Sequence, residues 1–152
     1  LYDVMHTTFA ARDFHDEPVD DATLARILDH ARFAPSGGNR QPWKVVVVRA
    51  AATRAALVPL IGPAMQRYLA QVRAGESPYN TVHPSRLSAA DVAAVPIPDA
   101  FIRKLTQAPV LLFVFVDLAR VASFDRDLDR VGVISGGSVY PFVWNILLAA
   151  RN

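Results

Sequence analysis

The chain has 152 residues, 52% of them hydrophobic and 20% charged, enough to bury the apolar surface of one domain and too few for two ordinary ones. Its 16 Lys and Arg against 14 Asp and Glu leave a formal charge of +2 with the signs interspersed, so no charge block points to nucleic acid or to an anionic membrane. Zero cysteines exclude disulfides, thiolate metal sites and cysteine catalysis. No apolar run approaches the ~18 residues of a membrane span and Leu1 to Asp20 lack a signal-peptide pattern, which leaves the cytoplasm as the default expectation.

Asp20-Asp21 followed by Leu24, Ile27, Leu28 and Ala31 predicts a helix with acid at its start and one apolar face, stopping before Pro35. The segment "FAPSGGNRQPW" comes next, then "VVVV" from Val45 to Val48, an unbroken β-branched run that predicts a strand covered on both faces. "AATRAALVPLIG" and "AMQRYLAQVRA" read as two further helices. From Gly75 to Asp99 the periodicity fails among four prolines, as expected for a binding loop, a lid or a surface excursion; Tyr79 and His83 mark it as a candidate substrate-facing cover. "PVLLFVFVD", opened by Pro109, is a second buried strand. The final helix, Ser138 to Arg151, places Val139, Phe142, Val143, Ile146, Leu147 and Ala150 at helical spacing. Trp144, Leu148 and Ala149 make its other sides apolar, so it is expected to be covered on more than one side. Helices alternating with two buried strands indicate an α/β or α+β layer architecture in one domain, residues 1–152.

Familiar catalytic patterns are missing: no P-loop, no G-x-G-x-x-G, no G-x-S-x-G and no H-E-x-x-H. His6, His15, His30 and His83 lack metal-ligand spacing and read as surface or capping residues. The alternating signs of "DRDLDR", Asp125 to Arg130, favour a solvated, salt-bridged segment over a metal or acid-base cluster. Arg12, taken alone, is a surface arginine.

"PSGGNRQPW" differs because several unusual choices coincide. Pro35 ends a helix, Gly37 and Gly38 permit positive φ and leave the backbone bare, and Asn39 adds an amide that donates and accepts. The loop follows a helix C-terminus, so it lacks the positive helix N-terminus that favours phosphate. A flat polar heterocycle suits it better than a pyrophosphate. The plainer alternative is a tight αβ connection anchored in the core by Trp43, and residue types alone leave both readings open.

"ARFAPSGGNRQPWKVVVV" resembles the hallmark of the FMN-dependent nitroreductase superfamily. "AARDFHDEPVDDATLARIL" ahead of it, the strand after Pro109, and "GGSVYPFVWNILLAAR" agree with that family in order. The resemblance implies an α+β fold with a central, mostly antiparallel sheet flanked by helices, built as an intertwined homodimer with two FMN molecules at the subunit interface. The second apolar side of the last helix would then be covered by the partner. It also places Pro35, Ser36, Gly37 and Asn39 along the isoalloxazine ring and Arg12 near the FMN phosphate or ribityl chain. Gln41 and Trp43 would shape the loop.

The implied activity is ping-pong hydride transfer from NAD(P)H through the flavin to a nitroaromatic, a quinone or a similar small-molecule acceptor, with no obligatory side-chain acid or base and so no catalytic residue to name. Relatives on the same fold imply dehydrogenation, dehalogenation or flavin fragmentation as alternatives. Two departures stand out. Thr8, Phe9 and Ala10 occupy positions where the family often carries Arg, Arg and Ser, with His6 as a substitute candidate for the phosphate grip. The chain also stops at "LLAARN", where the family continues to further ring and phosphate contacts, so a C-terminal truncation is expected. The altered segment and early end also admit a flavin-binding or sequestering protein without turnover.

Overall fold

Helix formation in the first third follows from one side chain. Asp20 sits at φ −70°, ψ 162° just outside the helix Asp21–Ala31, and its carboxylate accepts the Thr23 N–H at 2.7 Å. It thereby satisfies one of the donors a helix start leaves orphaned. The computed structural model describes residues 2–152, which fall into two compact units. The first takes in the chain up to Arg12, Glu17–Val47 and Leu112–Asn152; the second takes in Asp13–Asp16 and Val48–Leu111.

In the first unit, α1 is Tyr2–Thr7, α2 is Asp21–Ala31 and β1 is Trp43–Val48. Across from β1 lies its sheet partner Leu111–Val116, labelled β2, and a helix at Tyr140–Arg151 is the last of six among the described residues. The Asp117 N–H donates to the Pro42 carbonyl at 2.7 Å, so the end of β2 meets the start of β1 and the pair is antiparallel. Alternation along the strands sends Trp43, Val45, Leu112 and Val114 to one face, where they pack on Ala31, Ala34, Phe142 and Ile146. The Trp43 and Phe142 rings are stacked with centroids 4.4 Å apart, so Trp43 packs against the core, as the plainer reading of the loop has it.

The opposite face does not match the expectation of a strand covered on both sides. Val46 is 47% exposed and Phe115 56%, because among the described residues this sheet has two strands, and α2 and the last helix both lie on its other side. The last helix is likewise closed on one side only: Phe142 and Ile146 are buried, whereas Tyr140, Trp144 and Leu147 are exposed.

The second unit holds α3 (Ala51–Arg73), α4 (Ala89–Ala93) and α5 (Asp99–Gln107), which makes the last helix α6. The two helices expected on either side of Pro63 are one continuous helix of 23 residues, with Pro59 and Pro63 inside it. Each proline removes a backbone donor, and side-chain contacts hold the helix together here. The Cδ1 of Ile97 fits against Gly62, where an added Cβ would lie 2.6 Å away, and Gln66 Nε2 donates to the Val95 carbonyl at 2.9 Å. The stretch expected to be irregular from Gly75 to Asp99 contains α4. Its signal is Ser88-x-x-Asp91, a capping box in which each residue's side chain accepts the other's N–H, at 2.8 and 3.2 Å. Among the described residues, no helix is long and apolar enough to cross a membrane.

Candidate functional site

After α2 the chain turns at Ala31–Ala34 and enters the loop 35–41, whose base is Pro42, fully buried beneath it. Three consecutive decisions shape the loop. Gly37–Asn39 form a single 3-10 turn closed by the Asn39 N–H on the Ser36 carbonyl at 2.8 Å. Gly38, Asn39 and Gln41 take φ of 61°, 51° and 46°, so the left-handed region is entered three times within four residues. The Ser36 hydroxyl then accepts the Gln41 N–H at 3.0 Å, and Gln41 Nε2 reaches back to the Arg32 carbonyl at 3.3 Å. Positive φ thus falls on Gly38 and not on Gly37, which corrects the expectation that both glycines serve this purpose.

Gly37 has a different role. Its N–H donates to Ser138 Oγ at 3.0 Å, across 101 positions of sequence. Ser138 ends the 3-10 segment Ile134–Ser138 that leads into α6, and Gly136 in that segment is packed against the Tyr140 ring so closely that a Cβ could not be added. Ser138 is a site residue that sequence reading missed, because nothing local to it advertises a partner a hundred residues away.

The polar groups of the loop can now be sorted. The N–H groups of Gly37 and Asn39 are satisfied inside the protein. The Ser36 oxygen accepts the Gln41 N–H, but its hydroxyl proton has no acceptor, and the side-chain amide of Asn39 has no partner among the described residues. Pro35, Gly37, Gly38 and Asn39 are exposed and Ser36 half-buried. An exposed, nearly side-chain-free ledge with one free hydroxyl and one free amide is chemically suited to the edge of a flat, acceptor-rich ring.

Arg12 is exposed and donates to the Ala10 carbonyl at 3.3 Å, so its hydrogen bonding stays within its own segment. Thr8 turns its hydroxyl back onto the Val4 carbonyl. Arg120 pairs with Asp117 at 3.5 Å and reaches the Arg40 carbonyl at 3.5 Å, which adds a guanidinium behind the loop.

The remaining sequence candidates sort as follows. All four histidines are exposed, and no group of three or more His, Asp or Glu among the described residues could hold a metal ion. "DRDLDR" is only partly the solvated segment expected. Arg126 and Asp127 form an exposed pair at 3.4 Å, but Asp125 is 4% exposed. Its Oδ2 gathers the Val133 N–H at 2.7 Å, Arg130 at 2.9 Å and the Ile134 N–H at 3.3 Å, while its Oδ1 has no partner. The Val133 bond leads the causes that hold its carboxyl below the usual range. In the second unit, Tyr79 donates its hydroxyl to the Ala64 carbonyl at 2.8 Å, whereas His83 is exposed with its backbone N–H on Asn80.

The sequence profile of the Nitroreductase family matches residues 7–152. Nitrobenzene nitroreductase of Ectopseudomonas oleovorans is 26% identical to the chain over 157 aligned residues, 98% of this chain and 68% of that protein. NADH dehydrogenase of Thermus thermophilus is 48% identical over 46 residues, 30% of this chain and 22% of that protein. A variant of the FMN- and NADPH-dependent nitroreductase NfnB from Sphigopyxis sp. strain HMH superposes with a TM-score of 0.53 at 26% identity, over 97% of this chain and 67% of that one. The chain therefore spans about two thirds of the relatives it matches from end to end, and a far smaller share of those it matches over one stretch.

Proposed function

Because the chain belongs to the nitroreductase family, we propose that it is part of an FMN-dependent oxidoreductase that uses NAD(P)H to reduce a nitroaromatic, a quinone or a similar conjugated acceptor. The observation that carries this reading is the ledge at Ser36–Asn39, where a free hydroxyl and a free amide stand beside a bare Gly38 held at φ 61°. The residues present fit a flavin edge by the chemistry of those donors. FMN, when bound, supplies hydride acceptance and donation. Pro35 and Gly37 would line the ring, Ser36 and Asn39 would donate to its polar edge, and Arg12 would serve the phosphate end. Ser138 keeps Gly37 in place, and the Trp43–Phe142 stack beneath gives the loop a rigid base.

The exposed side of α6, with Tyr140 71%, Leu147 49% and Trp144 46% exposed, supports a homodimer in which a second copy covers it. The names of the E. oleovorans and NfnB relatives support the nitro acceptor and the nicotinamide reductant.

A visible spectrum of the full-length protein tests the reading. Flavin bands that bleach with NADH or NADPH and return on adding nitrobenzene or a quinone are expected; a full-length protein that never retains FMN overturns it. A second reading, flavin binding without turnover, is favoured by the segment at Thr8–Ala10, where the Thr8 hydroxyl is already engaged by Val4. FMN held tightly but reduced by neither nicotinamide is its signature.

A further inference from the structure

Between α3 and the segment that follows it, the second unit holds a cavity of about 660 Å³ open to solvent. Arg67, Asn80 and Thr81 supply its polar wall, and Leu87, Val92 and Pro84 its apolar one. The enclosing segment is well fixed. Gln71, only 3% exposed, accepts the Tyr79 N–H on Oε1 at 3.0 Å, and the capping box at Ser88 and Asp91 anchors α4.

The hydrogen-bonding inventory of this cavity is one-sided. The two acids of the segment are both spent within the protein. Glu76 accepts the Ser85 hydroxyl at 2.5 Å and the Arg86 N–H at 2.9 Å, and Asp91 accepts the Ser88 hydroxyl at 2.7 Å and its N–H at 2.8 Å. Asn80 uses Oδ1 on the Val82 and His83 N–H groups, both at 2.8 Å, which leaves its NH₂ as a donor. Arg67 has no acid partner among the described residues; its guanidinium lies 5.3 Å from the centre of the Tyr79 ring. A cation and two neutral donors therefore line a cavity whose lining contains no carboxylate, and Leu87, Val92 and Pro84 give the same cavity an apolar part.

We propose that this cavity is a binding site for a small organic carboxylate, its charged end on Arg67 with Asn80 and Thr81 and its hydrocarbon body against Leu87 and Val92. Cation and amide donors select the anion; the apolar wall selects an organic anion over an inorganic one.

Calorimetric titration of the full-length protein, saturated with FMN, tests it with three probes: benzoate, the neutral isostere benzamide, and inorganic phosphate. Saturable benzoate binding is expected, with benzamide and phosphate weaker by about tenfold or more. Arg67→Gln is expected to weaken benzoate about tenfold and Thr81→Val severalfold, while Asn39→Ala leaves it unchanged. The proposal is overturned if benzoate does not bind, if both Arg67→Gln and Thr81→Val bind it like the parent protein, or if Asn39→Ala abolishes binding. Should Arg67→Gln not fold, Thr81→Val alone decides.

Discussion

At Gly38 a side chain would have to sit at φ 61°, a conformation that costs a β-branched residue on the order of 1–2 kcal/mol or more. Gly38→Val is therefore expected to weaken FMN binding roughly tenfold and to lower the melting of the flavin-free protein by no more than a few degrees; Gly38→Asn, which tolerates this region, should bind close to normally. Fluorescence titration with FMN measures both, and equal affinity in all three proteins would reduce the loop to a turn. A second residue-scale expectation concerns Asp125. Its folded pKa is lowered, first by the Val133 N–H, so its stabilising contribution is complete above the ordinary aspartate range, about pH 3.9, and is lost as pH falls through the folded value. Asp125→Asn should melt several degrees lower than the parent near neutral pH, and the gap should close on acidification, as read by thermal scans across a pH series. Sequence made the loop legible because Gly, Asn and Pro declare their backbone preferences locally. It did not make Asp125 legible, because burial depends on Val133 and Ile134 folding back over it.

Elements were read best where one side chain controls an end or one period controls a face. Asp20 begins α2, and Leu24, Ile27, Leu28 and Ala31 face inward as their spacing requires. The continuity of α3 is not legible in the sequence, because proline at Pro59 and Pro63 is locally a breaker, while Ile97 against Gly62 and Gln66 on Val95 are distant contacts. The strand β1 was recognised, yet its burial was not, since four valines in a row say nothing about how many strands lie beside them. The Trp43–Phe142 stack joins β1 to α6 within the core of the first unit. Phe142 is 2% exposed and stacked on Trp43, so Phe142→Ala is expected to cost about 3–5 kcal/mol, measured by urea denaturation. A loss well under 1 kcal/mol would place the core elsewhere. Because the loop 35–41 rests on the same stack, that variant should also bind FMN less tightly.

On the scale of the whole molecule, the apolar residues around α6 call for covering on more than one side. The apolar excess of α6 was visible in its sequence, and Trp144 and Leu147 do stand open to solvent. Leu147→Asp is expected to convert a dimer into a monomer in light scattering at micromolar concentration, with the monomer keeping its helix content by circular dichroism; a dimer unaffected by the change would assign assembly to another surface. The hydrogen bond from Gly37 to Ser138 has a further consequence, in time. During synthesis the glycine emerges first, and its anchor does not exist until the ribosome has added the 101 positions that separate them. β1 waits in the same way for Asp117 to close on Pro42. Contacts of such sequence separation carry the highest loop-closure cost and form late. The ledge at Ser36–Asn39 is therefore fixed only after Ser138 has been made, which puts its completion late in the folding of the chain.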